Sequence, residues 1–146
     1  MVDLAHTFHD VGPGIFLREL ADRARMNFEA QFWNADTSCL NDVVNGDQRD
    51  SSIRPNQILA VSLGHRMLPP EKERQVVDVV ERELHTPLGL RSLSRCDPNY
   101  RGRYEGGPRE RDSVYHRGTV WPWLIGPLIS AYVKIHGAKQ RGSLTG

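Results

Sequence analysis

The sequence is short of lysine, of cysteine and, through its middle, of aromatic side chains, and each shortage narrows what the chain can be. Of 19 basic residues only Lys72, Lys134 and Lys139 are lysines, and 18 acidic residues bring the net charge to +1. A dedicated nucleic-acid or anionic-membrane binder carries a strong basic excess, so neither partner is expected. The two cysteines, Cys39 and Cys96, stand far apart without a Cys-x-x-Cys pattern, which suits a reducing compartment and two unpaired thiols. No apolar run approaches the ~20 residues that span a bilayer. The opening "MVDLAHTFHDVG" lacks the basic and apolar regions of a secretory signal, so a cytoplasmic, soluble protein is expected. The six histidines are scattered, with His6 and His9 at the terminus, and no zinc spacing emerges. Neither Gly-x-Ser-x-Gly nor Gly-x-x-x-x-Gly-Lys occurs, and no metal or cofactor is expected.

What is present is unevenly spread. A chain of 146 residues is one domain by size. All four phenylalanines lie at or before Phe32, all four tyrosines at or after Tyr100, and residues 34–99 hold no aromatic. Phenylalanine packs, whereas tyrosine and tryptophan add a polar handle to an apolar face. The first third therefore reads as core-facing scaffold and the last third as a surface built to touch a ligand.

Helical periodicity dominates. Leu17, Leu20, Ala21, Ala24, Phe28 and Phe32 form one stripe, preceded by Gly12, Pro13 and Gly14 as breakers. "CLNDVVNGD" ends in Asn45-Gly46, a turn or small hairpin. Ser51 or Ser52 caps a second helix with Pro55 in its first turn, ending at Gly64. "PPEKERQVVDVVERELHT" is the clearest helix: Val76, Val77, Val80 and Leu84 make its stripe and Pro87 stops it. Glu71 and Glu73 lie at its positive end, and Asp78 and Arg82 are spaced to pair. A long Gly-, Pro- and Arg-rich loop spans 88–118, and a last helix runs from Thr119 to Gly137, kinked by Pro127. Helices joined by alternately short and long loops predict an all-α fold of stacked hairpins.

Three stretches carry chemistry. "RDSSIRPNQ" gathers Arg54, Asn56 and Gln57, planar groups that orient a polyhydroxy ligand or simply occupy a polar first turn. "DPNYRGRYEGGPRERD" mixes Arg, Gly and Tyr, but Glu105, Glu110 and Asp112 offset its charge, so internal pairing outweighs single-strand nucleic-acid binding. "SVYHRGTVWPW" packs Tyr115, His116, Trp121 and Trp123 together. Rings there can lie on the C–H face of a sugar or anchor the last helix, and two tryptophans two apart cannot both face a helix core. Glycoside hydrolysis uses two carboxylates, ~6.5–9.5 Å apart when the configuration inverts. Asp50 and Glu105 are available acids, though no spacing selects a pair.

Read in order, "FWN", "CLNDVVNGD", "SIRPNQILAVSL", "MLPPEKERQVVDVVERELHTPLGLRSLS" and "DPNYRGRYEGGPRERDSVYHRGTVWPWLIGP" closely resemble bacterial glycogen debranching enzymes. The likeness is to their C-terminal amylo-α-1,6-glucosidase domain over about residues 14–137, which leaves 1–13 unmatched and 14–146 as the domain. It implies a glucoamylase-like six-hairpin glycosidase, here a partial (α/α)6 toroid with long loops at one end. It further implies hydrolysis of α-1,6 branch points with inversion, in glycogen catabolism. Sugar-site lining would fall to Arg54, Asn56, Gln57, Tyr104, Tyr115, His116 and Trp121, with Trp123 left to packing. The family usually has glutamine where Arg117 stands, and often proline where Gly64 precedes His65. The family's stretches bearing the catalytic acid and base have no counterpart here. The chain is therefore expected to be a fragment that is inactive alone, with Asp50 and Glu105 as weak substitutes. The alternatives are a non-catalytic α-glucan-binding module, or one part of a split enzyme whose uncovered helix faces meet a complementing chain or a second copy.

Overall fold

A computed structural model describes the backbone of residues 11–142 and the side chains of residues 16–137. Most of the expected segment 1–13, with His6 and His9, lies outside the described residues. The chain divides into two compact units, Met1–Gln31 and Phe32–Gly146. The first is dominated by helix α1 (Val11–Phe32). Gly12, Pro13 and Gly14 do not precede this helix but form its first turn, where a missing N–H breaks no intrahelical bond. Its stripe is not buried: Leu20 is exposed, as are Phe16 and Met26. The stripe of α1 is thus not the core-facing scaffold expected of it, whereas Cys39 and Leu40 further on are buried.

The second unit is mixed, and here the all-α expectation fails. Among the described residues three antiparallel sheets of short strands alternate with the helices, so the fold is not a partial (α/α)6 toroid. β1 (Trp33–Asn34) pairs with β2 (Cys39–Leu40), and β3 (Val43–Asn45) with β4 (Gln48–Asp50). β5 (His85–Thr86), β6 (Gly89–Arg91) and β7 (Val120–Trp121) form the third sheet in that order. Strands of two or three residues are too short to show period-2 alternation, which is why helical periodicity masked them. The β3–β4 hairpin closes through Gly46 and Asp47, with φ +58° at Gly46, the first central residue of the turn. Glycine tolerates that conformation without steric cost.

Helices α2 (Gln57–Ser62), α3 (Pro70–Leu84) and α5 (Ile125–Gly142) pack together to make the core. Ile58 and Val61 of α2, the Val76, Val77, Val80 and Leu84 stripe of α3, and Leu128, Ala131 and Ile135 of α5 are all buried. α2 starts later than predicted, because residues 51–54 are not helical and Pro55 and Asn56 form a turn before it. Arg82 pairs with the neighbouring Glu83 at 2.9 Å rather than reaching back to Asp78. The predicted last helix is also divided. Val120–Trp121 is strand, Pro122–Leu124 is one 3₁₀ turn, and α5 begins at Ile125. Pro127 therefore sits in the first turn of α5, where it need not kink the helix.

One charge lies inside this core. Glu73, at the positive end of α3, is fully buried beside the valine stripe. Its Oε1 meets Lys134 Nζ at 3.1 Å, and its Oε2 faces the Arg66 guanidinium at 3.4 Å. Lys134 also donates to the carbonyls of Val61 at 2.8 Å and Leu63 at 3.4 Å, so one ammonium closes the end of α2. Among the described residues no helix is long and apolar enough to cross a membrane.

Candidate functional site

The third sheet sets one wall of a cleft. Leu90 of β6 pairs with Trp121 and Arg91 with Val120, and Ser92 N–H continues the ladder to the Thr119 carbonyl at 2.9 Å. β-Branched and aromatic side chains at 120 and 121 favour this extended stretch. Pro122 then opens the 3₁₀ turn that carries Trp123. The opposite wall is the turn before α2. Between them lies a cleft of about 400 Å³ lined by Arg54, Pro55, Asn56, Ser92, Tyr115, His116, Trp121, Trp123 and Leu124.

The "YHRG" stretch joins the walls. Short helix α4 (Pro108–Val114) leads into Tyr115, whose ring lies 4.5 Å from that of Trp121 and 4.8 Å from that of His116. Tilted aromatic pairs of this kind add ~0.5–1.5 kcal/mol beyond buried area. Gly118 is fixed by backbone crowding: at φ +136° a Cβ would lie 2.6 Å from the Arg101 carbonyl oxygen and from the Tyr100 ring. Its N–H donates to Ser92 Oγ at 2.9 Å, so the glycine of the motif locks strand to loop.

Polar anchoring comes from Asp42, a residue not singled out in the sequence. It follows β2, and its N–H donates to the Asp50 carbonyl at 2.8 Å. Its carboxylate meets Arg54 Nε at 3.3 Å and accepts from Asn56 Nδ2 at 2.9 Å. Arg54 in turn donates from Nη1 to the carbonyls of Ser92 at 3.2 Å and His116 at 2.6 Å. One guanidinium therefore ties together four segments that are distant in sequence, with the planar multi-donor geometry lysine lacks.

The predicted site residues separate into groups. Arg54, Asn56, Tyr115, His116 and Trp121 come together at the cleft. Gln57 is buried away from it: its Oε1 accepts the Leu40 N–H at 3.2 Å and its Nε2 donates to the Arg54 carbonyl at 3.1 Å. Tyr104 is exposed beside the cleft, with its ring 6.1 Å from that of Tyr115. Trp123, assigned to packing, is 63% exposed and lines the cleft. It lies in a 3₁₀ turn, so the helical-face argument that separated it from Trp121 does not apply.

Neither predicted acid lies in the cleft lining. Asp50 sits on β4, where the Ser52 hydroxyl and the Ser52 N–H, at 2.9 Å, hold its carboxyl below the usual aspartate value. A depressed value is the opposite of what a general acid needs at neutral pH. Glu105 is exposed and pairs with Arg103 at 3.6 Å. Among the described residues no carboxylate lines the cleft, and no group of His, Cys, Asp or Glu is placed to hold a metal ion.

The sequence profile of amylo-alpha-1,6-glucosidase matches residues 8–144. The chain belongs to the amylo-alpha-1,6-glucosidase family. A glycogen debranching enzyme of Saccharomyces cerevisiae is 30% identical over 93 residues, which is 60% of this chain and 6% of that protein. The chain thus spans a small part of that relative's length. Asp42 lies in the "CLNDVVNGD" stretch, which its Asn45-Gly46 pair marks as a turn or small hairpin. Its spacing gives no sign of the ionic role, because the contact to Arg54 exists only after the hairpin folds.

Proposed function

We propose that this chain forms the glucan-binding lip of an α-1,6-glucosidase site, with the hydrolytic carboxylate pair supplied from outside the cleft described here. The observation that carries it is the cleft lining. Three rings, Tyr115, Trp121 and Trp123, stand with the Asn56 amide and the His116 imidazole, and no carboxylate is among the lining residues. Apolar walls with a few fixed polar groups suit a small sugar ligand. The substrate is an α-glucan bearing α-1,6 branch points, as in glycogen breakdown, and the free Cys39 and Cys96 thiols suit work in the cytoplasm. Ile129, Tyr132 and Val133 on the exposed face of α5 offer an apolar surface for a complementing chain or a second copy.

The test combines calorimetry with maltotetraose and glucose release from a limit dextrin. Binding without glucose release is the expected result, with binding lost in Trp121→Ala. Robust release by the purified chain, abolished by Asp50→Asn or Glu105→Gln, would refute the assignment of catalysis to residues elsewhere. Binding without hydrolysis under every complementing condition favours the alternative, a non-catalytic α-glucan-binding module.

A further inference from the structure

We propose that Asp42 is a positioning residue that fixes the Asn56 amide with its carbonyl oxygen toward the cleft, so that the site accepts a hydroxyl hydrogen of the glucan at that point. The inference rests on the glucan-binding reading of the cleft. The two oxygens of Asp42 have separate duties: Oδ2 faces Arg54 Nε at 3.3 Å, and Oδ1 accepts from Asn56 Nδ2 at 2.9 Å. The Asp42 side chain is only 13% exposed, whereas Asn56 is exposed and lines the cleft. An ionised carboxylate can only accept hydrogen bonds. The face of the Asn56 amide turned toward Asp42 must therefore be its NH₂ group, which leaves Oδ1 for the ligand. Arg54 Nε and Nη1 do not compete for that position, because Nε faces Asp42 Oδ2 and Nη1 is committed to the Ser92 and His116 carbonyls.

Asp42→Asn keeps the shape and changes the logic. The new side chain offers one acceptor and one NH₂ group to two donors. With Arg54 retaining the acceptor, the Asn56 amide must turn over and present NH₂ to the cleft. The exchange Asp42→Asn with Asn56→Asp restores every pairing. The amide oxygen at 42 accepts from Arg54, its NH₂ donates to the carboxylate at 56, and the second carboxylate oxygen again faces the cleft as an acceptor. A merely structural Asp42 predicts no such rescue.

The experiment uses the full chain with nitrogen-15 side-chain amide spectra and maltotetraose calorimetry. The Asn56 amide, assigned by its disappearance in Asn56→Ala, should show one slowly exchanging proton that is lost in Asp42→Asn. Affinity should fall about tenfold in Asp42→Asn, the loss of one hydrogen bond, and largely return in the double exchange. Asn56→Ala alters an exposed side chain and should show the same loss even if Asp42→Asn folds poorly. An unchanged Asn56 amide signal in folded Asp42→Asn, or equal losses in the single and double variants, overturns the proposal. Absence of maltotetraose binding by the unmodified chain overturns the glucan reading and the hydroxyl assignment with it. The amide spectra still decide the Asp42–Asn56 orientation in that case.

Discussion

Lys134→Met removes the cation from a fully buried carboxylate while keeping side-chain length. In the folded chain Lys134 Nζ lies 3.1 Å from Glu73 Oε1 and 2.8 Å from the Val61 carbonyl, and Glu73 has no exposed surface. Removing one partner of a buried ion pair costs ~3–5 kcal/mol, because the remaining charge stays desolvated. Arg66, though 46% exposed, remains 3.4 Å from Oε2, and this second cation holds the expected loss near the lower end, ~3 kcal/mol. At a few degrees per kcal/mol for a domain of this size, the Tm should fall by about 10 °C. Adding Glu73→Gln removes the stranded charge, so the double variant should recover to within ~1–2 kcal/mol of the parent. Thermal unfolding followed by far-ultraviolet circular dichroism measures both. A double variant no more stable than Lys134→Met would refute the claim that uncompensated charge, rather than lost packing, is what the core cannot tolerate.

Trp121→Ala should cost ~3 kcal/mol in urea unfolding, since the ring is half-buried against Tyr115. Trp123→Ala, at a ring 63% exposed, should change stability by less than ~0.5 kcal/mol; equal costs would place both rings in the core. The Glu83 carboxyl is held below its ordinary value of 4.5, first by the Arg82 hydrogen bond and also by the Ser94 hydroxyl. A folded value below the unfolded one means its stabilisation is full above about pH 4.5 and is lost as the pH falls through the folded value. Glu83→Gln should therefore flatten the acid limb of stability against pH, and a steeper limb would contradict the assignment. Cys96 is exposed and Cys39 has no exposed surface, so an aromatic disulfide reagent should label one thiol at once and the second only on unfolding. Rapid labelling of both would show that the β1–β2 region opens readily.

The sequence displayed the long helices and concealed the sheets, for the same reason. Helix α3 runs over about four turns, and within it Val76, Val77, Val80 and Leu84 repeat often enough to define a period. His85–Thr86 and Val120–Trp121 have only two residues each, and their pairing through β6 links segments some thirty residues apart. Nothing local announces such a partner. Pro87 was legible as the end of a helix, but not as part of the tight connection that returns the chain into Gly89–Arg91. Helix α1 shows the opposite limit: a regular apolar stripe predicted burial, yet Leu20 remains exposed, because periodicity fixes a face without fixing what covers it.

At the site, residue type was more legible than residue duty. "SIRPNQ" was readable as a cluster of planar polar groups, and the fold gives its three members three different tasks. Asn56 faces the cleft, Arg54 spends its donors on two backbone carbonyls and Asp42, and Gln57 turns inward to the Leu40 N–H. Each outcome follows from direction rather than chemistry. The turn at Pro55 and Asn56 sends Arg54 back to two carbonyls at the cleft edge, Asn56 out and Gln57 in, so Asn56 is the one whose amide is left to meet a ligand. Asp42 is not legible in the sequence because its value lies wholly in those two partners. A carboxylate in an isolated hairpin is a solvated charge, but one that holds both Arg54 and Asn56 decides how the whole wall is presented.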